Sequence, residues 1–282
     1  MKKVVIGYIF NENNLCTDEK IFLKLSKKKN IELVMINTAK DLDEEFIEKE
    51  IKRCDIFYNN SAEEFSLEIV KTIEALGKKF IDSSRKSYYD EDKWLFFVKC
   101  KKHNIPTPKT ILLSENKNIA KHELKNLNCW PVVLKRICGT MGEYVDKAEN
   151  WTQAEKIISK FWKKGSEKLP IIAQEFIASP NYRVTIIGDK IVQTAIRENK
   201  GWKATGVYAK KFKKFKIDKD LKKIINKIIK IFKINIFGID LLKKDNKWLV
   251  LEINLEPGFD FFNKEREMLI GKVLDLLKEK AR

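Results

Sequence analysis

The first 82 residues alternate short apolar runs with stretches of helical spacing, and this alternation limits the fold more than any other feature of the chain. "KKVVIGYIF" (2–10), "IELVMINT" (31–38), "CDIFYNN" (54–60) and "KKFID" (78–82) read as strands, with helices predicted over 17–29, 41–53 and 62–76. Strands joined through helices lie parallel, so a first lobe built on a parallel sheet is expected over 1–89.

The pattern then changes. "DEDKWLFFVKCKKHN" reads as a helix with Trp94, Phe97 and Val98 on one face, stopped by "IPTP" at 105–108. "TILLS" (110–114), a helix around 117–127, "PVVLKRI" (131–137) and a helix around 152–163 make a second, small unit over 90–170. From Ile171 the chain reads "IIAQEFI", "YRVTIIG", "KIVQTAI", a helix at 218–233, "FGIDLLK" and "KWLVLEIN". Within it, "IIGDKIV" (186–192) predicts a hairpin turning at Gly-Asp, hence an antiparallel sheet over 171–282. The fold class is α/β with α+β lobes, and 282 residues are enough for two or three of them.

Several function classes drop out on residue content. Five cysteines lack a CxxC pair and the two histidines, His103 and His122, sit in polar surroundings, so zinc, a disulfide framework and histidine-based catalysis are not expected. No apolar run approaches the roughly 18 residues of a membrane span, and the N-terminus runs into a strand without a cleavage site; a cytoplasmic protein is expected. The net charge of +17 rests on 57 basic residues, of which only seven are arginine. Such a surface attracts anions, yet it is also what lysine-rich composition alone produces. An arginine inside an apolar strand is less casual here.

Four places carry chemistry. Lys135 ends an apolar strand and is followed by Gly139-Thr140-Met141-Gly142, where backbone N–H groups could approach phosphate oxygens; a tight hairpin with an edge lysine reads the same way. Lys93, in "DKW", would on its own be a solvated helix residue. "AQEFI" places Gln174 and Glu175 at a strand end, and Arg183 and Arg197 lie on consecutive strands, facing either one cleft or solvent. Asp240 is flanked by Ile239 and Leu241, while Glu252 and Asn254 are two apart and so share a strand face. Buried carboxylates require cations nearby, and oxygen-only donors suit Mg²⁺.

In order, "DKW" with "NIPTPKT", "PVVLKRICGTMG", "AQEFI", "YRVTIIGDKIV", "AIREN", "FGIDLL" and "LVLEINLEPGF" resemble the ATP-grasp superfamily, closest to its RimK/LysX-like carboxylate–amine ligases, over nearly the whole chain. The resemblance implies an ATP-grasp fold, with ATP clamped between the central and C-terminal lobes. It implies ATP and Mg²⁺, or Mn²⁺ in its place, as cofactors. Lys93 and Lys135 would contact the α- and β-phosphates under a loop containing Gly139, Thr140 and Gly142. Glu175, Phe176 and Ile177 would line the adenine hinge, with Gln174 also binding the nucleotide. Asp240, Glu252 and Asn254 would hold the metal, and Arg183 and Arg197 would stabilise the phosphoryl group and an acyl phosphate. The partners implied are small-molecule carboxylates and amines, or an acidic peptide or protein tail, with a homo-oligomer allowed and neither nucleic acid nor membrane expected.

The chain departs from the family pattern in three places. Asn181-Tyr182-Arg183 replaces Asp-x-Arg; a usual Asn is missing near "GWKATGVYAKK", where Thr205 or Asn199 could substitute; and Leu255-Glu256 replace small residues before Pro-Gly, which bears on the acceptor pocket. The competing reading is a non-catalytic nucleic-acid or anion binder using "KKFKKFKIDKDLKKIINKIIKIFK" (210–233). Against it, Leu221, Ile224, Ile225, Ile228, Ile229 and Phe232 form a stripe that seats a helix on a core.

Overall fold

A computed structural model describes residues 3–40, 42, 44–139, 142–163, 168–198, 201–203 and 211–282. The N-terminal region runs β1 (Val4–Phe10), α1 (Thr17–Lys28), β2 (Ile31–Asn37), α2 (Glu44–Arg53), β3 (Ile56–Asn59) and α3 (Glu64–Ala75). Its three strands form a parallel sheet in the order β2-β1-β3. The expected fourth strand at 78–82 shrinks to one bridge between Phe57 and Phe80. Two backbone bonds, from Phe57 to Lys79 and from Ile81 to Phe57, are all that this segment makes with β3.

Two helices follow, α4 (Ser84–Glu91) and α5 (Lys93–Lys102), separated by Asp92, whose side chain caps α5 by accepting from the Leu95 N–H at 2.8 Å. The buried face of α5 is Phe96 and Cys100, not the expected Trp94, Phe97 and Val98; Val98 is 41% exposed. Phe96 packs against Phe232 with ring centroids 5.3 Å apart, so α5 is turned toward the third sheet's core rather than the second's.

The second sheet contains β4 (Thr110–Leu112), β5 (Val132–Arg136), β6 (Val145–Ala148) and β7 (Ile171–Glu175), antiparallel in the order β4-β7-β5-β6. Helices α6 (Lys117–Leu127) and α7 (Trp151–Lys163) cover one face, burying Ala120, Leu124, Ala154, Ile158 and Phe161 over Leu134 and Ala173. Strand β7 lies beyond residue 170 yet sits between β4 and β5, because both need its hydrogen bonds.

The third sheet is antiparallel, β10 (Lys211–Lys213), β9 (Lys190–Glu198), β8 (Asn181–Ile187), β11 (Ile236–Lys244) and β12 (Lys247–Asn254) in that spatial order. Gly188, at φ +67°, makes the β8–β9 turn with Asp189. Helix α8 (Lys219–Phe232) buries Leu221, Ile225, Ile228 and Phe232 on one face of this sheet, against Val184, Ile186, Ile239 and Val250. Burying this stripe stabilises the unit by about 1.5–3 kcal/mol per large side chain. The last helix, α9 (Asn263–Lys280), packs Leu269, Ile270, Val273, Leu274 and Leu277 onto the first sheet's Val4, Ile6 and Tyr8. Among the described residues no helix is long and apolar enough to cross a membrane.

Candidate active site

The face of the third sheet opposite α8 is polar. Antiparallel register aligns Arg183 of β8, Asp240 of β11 and Glu252 of β12 in one cross-strand row, with Asn181 and Arg197 paired in the next. Arg183, Arg197 and Asp240 are only 4%, 5% and 3% exposed. The Arg183 Nε lies 2.5 Å from Asp240 Oδ1, and the Arg197 Nη1 lies 3.0 Å from Oδ2. Arg197 Nη1 also donates to Asn181 Oδ1 at 3.3 Å, so asparagine supplies a neutral acceptor where the family pattern has a carboxylate. Two guanidinium groups around one carboxylate form a desolvated cluster, and burial lowers the Arg183 pKa to about 10 against the opposing pull of Asp240, Glu252 and Asp90. Such a cluster is costly to bury.

Glycine permits this packing. A Cβ on Gly238 would stand 1.8 Å from Arg183 Nη1, so any side chain there would push the guanidinium away. Next to Asp240, the β11–β12 ladder shifts register: Asp240 faces Glu252 but Leu241 faces Val250. The extra residue, Leu251, and Glu252 both line the adjoining pocket, an instance of a bulge re-aiming side chains beside a cleft. Seven buried polar atoms on this face have no hydrogen-bond partner: Arg183 Nε and Nη1, Arg197 Nε, Asp240 Oδ1, Thr185 Oγ1, Gln193 Oε1 and Asn254 Nδ2. The close Arg183 Nε–Asp240 Oδ1 approach is an ion pair without hydrogen-bond alignment. Buried groups of this kind are normally satisfied, and their concentration on one face marks a place built for a polar ligand.

The second sheet supplies the facing wall. Lys135 and Gln174 meet Lys93 and Glu252 around a small pocket that also includes Phe97 and Thr107. Lys135 Nζ donates to Gln174 Oε1 at 2.8 Å, and Gln174 Nε2 donates to Thr110 Oγ1 at 2.9 Å, which fixes the amide. Burial pushes the Lys135 pKa down to about 8, with Glu252 opposing and Lys93 reinforcing the shift. Lys93, first residue of α5, donates to the Gly139 carbonyl at 2.8 Å. Gly139 and Gly142 take φ +135° and +73°, conformations that favour glycine. Thr140, Asn199 and Thr205 lie outside the described residues. Glu175 pairs with Lys244, the Phe176 N–H donates to the Pro131 carbonyl, and Ile177 is buried.

The structure therefore brings Lys93, Lys135, Gln174 and Glu252 into one pocket, and Arg183, Arg197, Asp240, Glu252 and Asn254 onto one sheet face. Asp90 escaped the sequence reading, and Glu256 entered it only as a departure that bears on the acceptor pocket. Burial raises the Asp90 pKa to about 7, aided by Glu252, while the carboxylate accepts the Leu255 N–H at 2.9 Å. Burial raises Glu256 to about 8, aided by Asp90 and Glu63. Asp90 lies in a run of polar residues that gives no sign of burial. The aromatic residues of 210–233 are engaged: Phe212 lies against Phe261, and Phe215 against Tyr182 and Trp248.

The chain is similar to known proteins over this whole region. The RimK-like ATP-grasp domain model matches residues 90–276. The coenzyme gamma-F420-2:alpha-L-glutamate ligase of Methanococcus maripaludis is 27% identical over 203 residues, covering 69% of this chain and 68% of that protein. The alpha-aminoadipate–LysW ligase LysX of Saccharolobus solfataricus is 32% identical over 164 residues, 56% of this chain and 58% of its own length. Among solved structures, a RimK domain ATP-grasp protein from Sphaerobacter thermophilus superposes with TM-score 0.76 at 14% identity, covering 97% of this chain and 99% of that one. D-alanine–D-alanine ligase from Bacillus anthracis complexed with ATP gives 0.73 at 17% identity, covering 99% and 97%. These two likenesses show the ATP-grasp fold.

Proposed function

The chain belongs to the RimK-like ATP-grasp family, an ATP- and Mg²⁺-dependent group of C–N bond-forming ligases, and we propose that it joins an amino acid such as glutamate to an acidic small molecule or peptide. The observation that carries this is the buried Arg183–Asp240–Arg197 cluster with its unfilled donors, facing a lysine-lined pocket. A desolvated cation pair on the face that also carries Glu252, which shares a pocket with Lys135, suits a phosphoryl group in transfer, where catalysis is mostly positioning and charge neutralisation. The chemistry then needs no histidine.

In the reaction of this family, a carboxylate oxygen of the substrate attacks the γ-phosphorus and the bond to the bridging oxygen breaks, releasing ADP. The amine lone pair then attacks the acyl carbon, the C–O bond breaks with its electrons leaving on phosphate, and one nitrogen proton is released. We assign Lys93 and Lys135 to the α- and β-phosphates, with Gly139, Thr140 and Gly142 over them. Glu175 to Ile177 form the adenine hinge, and Gln174 orients Lys135. Arg183 and Arg197 hold the transferring phosphoryl group, a planar fork that lysine cannot supply.

The donor chemistry of Asp240, Glu252 and Asn254 supports assigning the metal to them. Each of the three side chains offers oxygen and they share one sheet face, with both Asp240 oxygens ion-paired to Arg183 and Arg197 beside them. Mg²⁺ usually takes one or two carboxylates and completes its shell with water and phosphate oxygens, so two acids and an amide are enough. Mg²⁺, or Mn²⁺, would supply charge neutralisation between phosphate oxygens.

We divide the chain into lobes over 1–89, 90–170 and 171–282, with β7 at the start of the last lobe pairing into the middle sheet. An acidic acceptor accords with the +17 charge. The test is ADP release from ATP across amino acids paired with acidic acceptors. At least one pair, with L-glutamate as amine, should raise the rate well above the ATP-only background. Salt-dependent RNA binding with no pair active would overturn the reading.

A further inference from the structure

Beside the arginine row, the same sheet face carries a second cross-strand row, Gln193–Thr185–Gly238–Asn254. Thr185 is completely buried and Gln193 is 4% exposed, yet Thr185 Oγ1 and Gln193 Oε1 have no partner. Over Gly238 the space is filled by the Arg183 guanidinium, whose Nη1 is also without a partner, as is Asn254 Nδ2.

The orientation of the Gln193 amide can be read. Gln193 Nε2 donates to Glu265 Oε2 at 3.0 Å, and a carboxylate can only accept, so the Gln193 oxygen must point the other way. Lys214 pairs with the same carboxylate and keeps it charged. One end of the row thus presents a fixed acceptor with a hydroxyl beside it, and the other presents two donors. A ligand complementary to it offers an N–H at the first end and a carbonyl or phosphoryl oxygen at the second. An amine poised beside an acyl phosphate has this polarity.

Resting on the ligase reading above, we propose that Gln193 Oε1, assisted by Thr185 Oγ1, accepts a hydrogen bond from the attacking amine and holds it next to the acyl group bound by Arg183. Successive rows on one face are two residues apart, about 6.6–6.8 Å, so an amine held here reaches a carbon placed between the rows. These two side chains act as positioning groups for the nucleophile and take no part in ATP binding.

The test compares wild type with Gln193→Met and Thr185→Val, measuring ADP formation while the amine (L-glutamate, then ammonium chloride) is varied against a panel of acidic acceptors, with ATP affinity measured by calorimetry. The expected result is a rise of about tenfold in the half-saturating amine concentration for Gln193→Met, and a smaller rise for Thr185→Val. Half-saturating ATP and acceptor should be unchanged in both. Unchanged amine dependence overturns the proposal and leaves the ligase reading standing. Parallel loss of ATP affinity in both variants assigns the row a structural role and also overturns it. If wild type forms no ADP with any pair, the ligase reading fails first and takes this proposal with it.

Discussion

Lys135 should make nucleotide binding take up a proton. Its Nζ is buried at the junction of the second and third sheets, and its pKa is lowered from an ordinary 10.5 to about 8. Above pH 8 the free protein therefore holds this lysine mostly neutral, whereas a polyphosphate lying against it favours the charged form. If binding restores the ordinary value, the group at pH 8.5 goes from about 0.25 proton bound to about 1, an uptake of about 0.75. Affinity should accordingly fall about tenfold between pH 7 and pH 9. Titrating ATP calorimetrically at pH 8.5, without carboxylate substrate, in two buffers of different ionisation enthalpy reads the uptake directly. Lys135→Arg is the control, because guanidinium does not titrate there, and its uptake should vanish. Lys135→Ala should weaken ATP binding greatly at every pH with the fold intact. Zero uptake in wild type, or equal uptake in Lys135→Arg, would refute the reasoning.

Three further outcomes are expected. Arg197→Lys should lose about 2–4 kcal/mol of transition-state stabilisation, seen in turnover much more than in ATP affinity; a variant that loses only ATP affinity moves Arg197 to ground-state binding. Gly238→Ala places a methyl where Arg183 Nη1 now lies, so turnover should drop at least about tenfold while circular dichroism stays native, and an unimpaired variant would mean that the guanidinium's seat is unimportant. Burial keeps Asp90 and Glu256 protonated up to about 7 and about 8, against ordinary values of 3.8 and 4.5, so the native state retains protons that the unfolded chain releases. Their contribution is present below about pH 4 and is lost as pH rises through 7 and 8; Asp90→Asn with Glu256→Gln should flatten that decline in melting temperature, and an unchanged slope would count against it.

What the sequence made legible was local. The β8–β9 hairpin follows from Gly188-Asp189 between apolar strands, and the α8 stripe from i, i+3, i+4 spacing, because both signals lie within a dozen residues. Asp240 was legible as a carboxylate requiring cations, and Arg183 and Arg197 surround it. Features that depend on distant partners were hidden. The turn of α5 toward Phe232 and the capture of β7 by β4 and β5 are set by surfaces far away in the chain. Thr185 and Gln193 look like the wet half of an alternating strand; only the elements above them make that half dry. Helix α9 itself went unread, and Asp90 and Glu256 became acids of raised pKa only through their surroundings in the fold.

The position of α9 has a consequence for how the protein is made. Its Leu269, Ile270, Val273, Leu274 and Leu277 complete the core over a sheet whose strands were synthesised more than 200 residues earlier. During translation that sheet must wait, with Val4, Ile6 and Tyr8 sheltered only in part by Phe22 of α1, until residues 263–280 have emerged. The middle unit draws its core from residues 111–173 alone and can close as soon as they are out. The nascent chain is thus expected to mature from its centre outward, with its oldest apolar surface the last to be fully sheltered and the one most in need of a chaperone.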